Sequence, residues 1–212
     1  MEKRILLPTD FSKNSWNAIK YAIKLFEGKQ CEFYILHTYA KETHGLDSLT
    51  LLDPDEAFNK MSEIKSKEGL GDILIKLSKL ENNTNHCFHV VSESTLLLDA
   101  VKYLNKKLHF DMIVMGAKGI NNKKGESYGK HTLEILKSIR KCPILVVPSN
   151  VDFNHPKEIV LTTDFNADIK ISEIKNSIGQ NYNIRNSAPS IYRILDGKNK
   201  LYDVFVGDVN KQ

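Results

Sequence analysis

A chain of 212 residues that is 41% hydrophobic and 26% charged has the balance of an ordinary folded protein of one or two domains. It has no apolar run near the ~18 residues of a membrane span, and MEKRILLPTD sets only three apolar residues between a charged cluster and a proline. Neither a membrane nor a signal peptide is therefore expected, and a cytoplasmic location is. The net charge of +4 comes from lysines scattered along the whole chain, so nucleic acid is not indicated as a partner.

In chain order, Ile5 to Leu7 is a short apolar strand closed by Pro8-Thr9-Asp10. Ser12 then stands as N-cap of a helix whose apolar residues Trp16, Ile19, Ala22, Ile23 and Phe26 recur at helical spacing, with Gly28 ending it. Cys31 to Tyr39 is nearly continuous in apolar character, as in a strand covered on both faces. Lys41 to Leu52 has no steady period and is read as a loop. Asp53-Pro54-Asp55-Glu56 has the form of a capping box with proline at the first helical position. The stripe Phe58, Met61, Ile64, Ile73, Leu74, Leu77 and Leu80 continues that helix, with Gly69 and Gly71 expected to bend or break it.

After a turn at Asn82 to Asn85, His86 to Val91 is the third strand. Ser94 is expected to cap a helix with Leu97, Ala100, Val101 and Leu104 inward. Met112 to Met115 is the fourth strand; Leu133, Leu136 and Ile139 mark another helix, and Pro143 to Val147 the fifth strand. Alternating strands and helices, with nearly all-apolar strands, predict an α/β fold: a five-stranded parallel Rossmann-like sheet with helices on both faces and right-handed crossovers. Cys31, Cys87 and Cys142 lie at or in predicted strands and are too few for a disulfide framework, so buried free thiols are expected.

Ligands of such sheets sit beyond the carboxyl ends of the strands, which singles out Asp10, Thr38 and Gly116. The last of these opens the stretch from Asp111 to Thr132, DMIVMGAKGINNKKGESYGKHT, where a strand empties into a loop of Gly, Asn and Lys and re-forms as a helix. That arrangement aims unpaired backbone N–H groups and partial positive charge at a phosphate.

Past Pro148 a polar linker, Ser149 to Pro156, leads into an internal repeat: Ile159, Leu161, Thr163, Asp164 and Phe165 repeat Ile5, Leu7, Thr9, Asp10 and Phe11 in order. The division expected is 1–150 as one domain and 157–212 as a truncated or divergent second unit. That unit lacks a second glycine loop; Ile191 to Leu195, Asp196-Gly197-Lys198-Asn199 and Leu201 to Val206 form a β-hairpin pattern.

The spacing Gly116-x2-Gly119-x9-Gly129, with PTDFS after the first strand, ILHT ending the second and CPILVVP as the last, resembles the universal stress protein family from about Lys3 to Pro148. The repeat is similar to the start of the second unit in tandem members. The resemblance implies an adenine nucleotide alpha hydrolase-like fold, ATP as ligand with or without Mg, and a role as a stress-response nucleotide-binding module. It places Asp10 near adenine and ribose with Pro8 and Thr9 shaping the strand end. Thr38 falls where the family has valine against adenine, Gly116 and Gly119 against ribose and phosphates, and Gly129, Lys130, His131 and Thr132 around the phosphates. It also implies a homodimer through Pro143 to Val147.

The sequence departs from the family at Lys130, where Ser or Thr is the pattern. An ammonium reaching a phosphate would supply a charge-assisted bond of ~1.5–3 kcal/mol; pointing to solvent, it would leave the site one ligand short. Plainer roles are open as well: Asp10 as a helix-capping carboxylate, Lys118, Lys123 and Lys124 as a solvated loop, and His37 as a packed side chain. His86 and His89, three apart on a strand, face opposite sides and share no metal. Three functions follow: a nucleotide-binding module, a slow ATPase, and a dimeric interaction protein with no nucleotide. No carboxylate or histidine in the loop stands as an obvious general base, which leaves weak ATP hydrolysis as the most an enzyme reading supports.

Overall fold

The computed structural model describes residues 2–39, 54–80 (backbone alone for 54–59), 85–119, 128–149 and 151–154, and the backbone of four short strands between 158 and 205. The expected loop over 41–52, the cap at Asp53, the turn over 82–84, Lys123, Lys124 and the repeat residues Thr163 to Phe165 lie outside the described residues, as does the turn over 196–199.

The first sheet is built from β1 (Lys3–Pro8), β2 (Cys31–Thr38), β3 (His86–Glu93), β4 (Met112–Gly116) and β5 (Ile144–Val147), in the order β3-β2-β1-β4-β5. All four pairings are parallel; Ile5 stands beside Phe33 on one side and Met112 on the other. Helices α1 (Lys13–Leu25), α2 (Pro54–Ser78), α3 (Leu97–Leu108) and α4 (Lys130–Ser138) connect the strands.

Alternation along each strand sends neighbouring side chains to opposite faces. Ile5, Leu7, Phe33, Ile35 and Val114 therefore pack with Ala18, Ile19 and Ala22 of α1 and Leu70, Ile73 and Leu77 of α2. Leu6, Leu36, Ile113 and Met115 pack with Val101 and Leu104 of α3 and Ile135 and Leu136 of α4. Two cores on one sheet explain why its strands read as unbroken apolar runs; each fully buried Leu, Ile or Phe stabilises by about 1.5–3 kcal/mol.

Ser12 caps α1 as expected, its Oγ accepting the Ser15 N–H at 3.0 Å. The chain leaves that helix through Phe26 and turns at Gly28, whose φ of 76° suits glycine. Three local expectations are corrected. Gly69 and Gly71 do not break α2, which runs as one helix from Pro54 to Ser78. Ser94 does not cap α3: the N-cap position is Leu96, without a side-chain bond, and the buried Ser94 hydroxyl has no partner among the described residues. Cys87, on the edge strand β3, is exposed, whereas Cys31 and Cys142 are buried and burial pushes their thiols up to about 11 and about 12. In α4, Ile135, Leu136 and then Ile139 face inward, and Leu133 stays 38% exposed.

Farther on, β6 (Glu158–Thr162), β7 (Asn183–Arg185), β8 (Arg193–Leu195) and β9 (Leu201–Phe205) form a second sheet in the order β7-β6-β9-β8. β8 and β9 are antiparallel, Ile194 opposite Tyr202, as the hairpin pattern predicts. β6 has a parallel neighbour in β7 and an antiparallel one in β9, a pairing that β1 does not have. Among the described residues no helix is long and apolar enough to cross a membrane.

Candidate functional site

β1 and β4 are neighbours at the middle of the sheet, but the helix after β1 packs on one face and the helix after β4 on the other. The strand order reverses between them, and that is the point at which doubly wound sheets take ligands. Asp10 lies two residues past the end of β1, and Gly116 to Gly119 end β4 and follow it.

The β1 side is a tight turn held by its own side chains. Thr9 Oγ1 accepts the Phe11 N–H at 3.1 Å and shares a 3.0 Å hydrogen bond with Ser15 Oγ, while Asp10 Oδ1 accepts the Ser12 N–H at 3.1 Å. Phe11 takes φ 61°, a left-handed conformation that costs a bulky residue of order 1–3 kcal/mol. Its ring is held by two neighbours. It stacks on His37 with centroids 4.2 Å apart, and it lies on the backbone of Gly69, where a Cβ would meet ring atoms at 2.5 to 2.8 Å.

His37 is packed, as expected. Its Nδ1 pairs with Ser66 Oγ at 2.7 Å, and Ser66 Oγ with Ser92 Oγ at 2.8 Å, tying β2, α2 and β3 together. Burial holds the imidazole below the usual histidine range, against the opposing pull of the Asp10 charge, so His37 is neutral at pH 7. Thr38 ends β2 partly exposed, and both it and Asp10 lie two residues past the Pro8 and Leu36 pair.

On the β4 side, each glycine of the first pair faces protein. A Cβ on Gly116 would stand 3.2 to 3.3 Å from Asn14 atoms, and one on Gly119 would stand 2.8 Å from Asp10 Oδ2. Asn14 Nδ2 donates to the Lys118 carbonyl at 2.7 Å. Its Oδ1 is buried and has no hydrogen-bond partner among the described residues, a desolvation cost of about 1–3 kcal/mol. The neck of the loop is closed by the Gly129 N–H donating to the Ala117 carbonyl at 2.8 Å and by the Thr132 hydroxyl donating to the Gly116 carbonyl at 3.1 Å.

The expected site residues thus separate into two groups. Asp10, Thr38, Gly119, Lys130 and His131 have exposed surface. Pro8, Thr9, Gly116, Gly129 and Thr132 are buried, Thr132 at 3% exposure, and they shape and tie the walls. α4 starts at Lys130 after the cap Gly129, which has no side chain to donate to, and its first turn has no acidic residue. The amides of that turn have no acceptor within the helix, and a lysine at this end opposes the helix dipole.

Sequence reasoning passed over Phe11, Gly69 and Asn14. For Asn14 a signal was present: it lies one and two helical turns before Ala18 and Ala22 on the buried stripe of α1, an amide where an apolar residue is expected. Among the described residues no group of three or more His, Cys, Asp or Glu side chains is placed to hold a metal ion.

A family model described as the universal stress protein family matches residues 1–148. Among solved structures, the universal stress protein UspA from Lactobacillus plantarum aligns with TM-score 0.56 at 16% identity, covering 69% of this chain and 96% of that one. Hypothetical protein MJ0577 aligns with TM-score 0.55 at 23% identity, covering 69% and 95%. At these identities both show a shared fold. Among curated proteins none matches the chain significantly.

Proposed function

The chain belongs to the universal stress protein family, and from that premise we propose that it binds ATP or a related adenine nucleotide between β1 and β4 and acts as a cytoplasmic nucleotide-sensing module in a stress response. The observation that carries the reading is the approach of Gly119 to Asp10, near enough that a Cβ would stand 2.8 Å from the carboxylate. A strand-end carboxylate and a glycine with exposed surface meet there, and the chain that follows enters the N-terminus of α4; together these offer the chemistry a nucleotide needs, an acceptor for ribose or adenine N–H and O–H groups and donors for phosphate.

In this reading Asp10 takes the ribose and adenine side and Thr38 lies against the base. The exposed Lys130 and His131, with the amides of the first turn of α4, take the phosphates, with or without Mg. Lys130 is unfavourable where it stands unless an anion is near, which supports its serving in place of the family's hydroxyl. Thr132 keeps its hydroxyl on Gly116 and acts by holding the loop neck.

Titration of the purified protein with labelled ATP is expected to saturate below millimolar nucleotide. Absence of saturable binding there would overturn the reading in favour of an interaction protein, and phosphate release above background would add turnover. β5 is an edge of the five-stranded sheet, and pairing of two copies through Pro143 to Val147 would satisfy its outer row of backbone groups. Sedimentation is therefore expected to give a dimer mass, and a monomer mass would refute that pairing. We propose that 157–212 is a truncated or divergent second unit of the same family, from the repeat of Ile5, Leu7, Thr9, Asp10 and Phe11 at Ile159 to Phe165.

A further inference from the structure

We propose that Asn14, a residue of α1 outside the glycine motif, is the positioning residue that orients the peptide between Lys118 and Gly119; its consequence for affinity rests on the nucleotide reading above. The segment leaving β4 is held at several points. The Ala117 N–H donates to the Val147 carbonyl, and the Ala117 carbonyl accepts from Gly129, both at 2.8 Å. The next residue is reached from α1, where Asn14 Nδ2 donates to the Lys118 carbonyl at 2.7 Å across a sequence separation of 104. α1 comes this near because Gly116 lacks a Cβ, which would otherwise crowd Asn14.

Peptide planarity turns this bond into control of a donor. The carbonyl of Lys118 and the N–H of Gly119 belong to one trans peptide and point in opposite directions. Holding the carbonyl toward Asn14 therefore holds the Gly119 N–H away from it, in the residue that abuts Asp10.

The other end of the same side chain argues the point independently. Asn14 is 9% exposed and its Oδ1 has no partner among the described residues, while Ala18 and Ala22, on the same buried stripe, bury no polar side-chain atom there. An amide in this place destabilises through its oxygen, so it is the donor end, on Lys118, that accounts for its presence.

The test uses the full chain with Asn14→Ala and the isosteric Asn14→Asp, which removes the donor and sets a carboxylate against the Lys118 carbonyl. ATP dissociation constants are expected to rise about tenfold in the first, the scale of one hydrogen bond, and further in the second. The thermal midpoint of Asn14→Ala is expected to equal or exceed that of the wild type, because the unpaired oxygen disappears together with the bond. A residue that merely supports the fold would lower both together. Exchange of the Gly119 amide in nucleotide-free protein is expected to change in Asn14→Ala. Unchanged ATP affinity in both variants, or unchanged exchange at Gly119, overturns the proposal. Should the wild type itself fail to bind ATP, the nucleotide reading falls, and the exchange comparison still decides whether Asn14 orients this peptide.

Discussion

Gly119→Val is expected to abolish saturable ATP binding up to millimolar nucleotide, at least a hundredfold loss, about 2.7 kcal/mol. Even the first carbon added would stand 2.8 Å from Asp10 Oδ2, inside any normal contact distance. Asp10 is a poor partner for such an intrusion because its side chain is short and Oδ1 is already engaged by the Ser12 N–H. Either the carboxylate leaves the position assigned to ribose and adenine, or the loop moves off it; the branched methyls of valine make both worse. Gly119 itself is exposed, so the thermal midpoint should stay within about 2 °C of wild type. Isothermal titration beside a thermal melt checks both halves. A variant that binds ATP as the wild type does would show that the nucleotide does not use this junction.

Two glycines in one helix are expected to respond to the same substitution with opposite signs. Alanine in a helix interior is favoured over glycine by up to ~1 kcal/mol, and Gly71→Ala should realise part of that gain, because nothing lies within 4 Å of its added Cβ. Gly69→Ala should instead destabilise by about 1–3 kcal/mol, the usual range for overpacking. Its Cβ would meet three ring atoms of Phe11 at 2.5 to 2.8 Å, and the ring has little room to withdraw. Phe11 is fixed in a left-handed turn at φ 61° and stacked on His37. Urea unfolding of the two single variants measures the difference directly. If Gly69→Ala unfolds at higher urea than the wild type, the account of Phe11 as a ring seated on α2 is wrong. Because Phe11 follows Asp10, the same variant should also weaken ATP binding, although Gly69 is a helix residue outside the glycine loop.

The glycine spacing made this region conspicuous, but it did not distinguish glycines that admit a ligand from glycines that admit another part of the chain. Gly116 makes way for Asn14 and Gly119 for Asp10; Gly129 uses its amide on Ala117. Thr132 illustrates the same point for side chains. Its place in the motif assigns it to phosphate, yet its hydroxyl is committed to Gly116 and almost fully buried. Ser94 fails as a cap for a related reason: capping depends on where the backbone turns into the helix, and here it turns two residues later, at Leu96.

By itself the sequence determined the elements that depend on neighbours a few positions away: the continuous apolar strands, the Ser12 cap, the helix after Gly129 and the family that this order of motifs marks. The tertiary structure alone decided what crosses between elements. It set Asn14 on Lys118 and Phe11 between His37 and Gly69, and it brought Asp10 against Gly119. Periodicity reports which face of a helix or strand is buried, because burial repeats with the backbone's own period. Which atom meets which beyond the strand ends is set by the packing of α1 and α2 on the sheet and by the pairing of β1 with β4, and no local pattern in the chain encodes those distances.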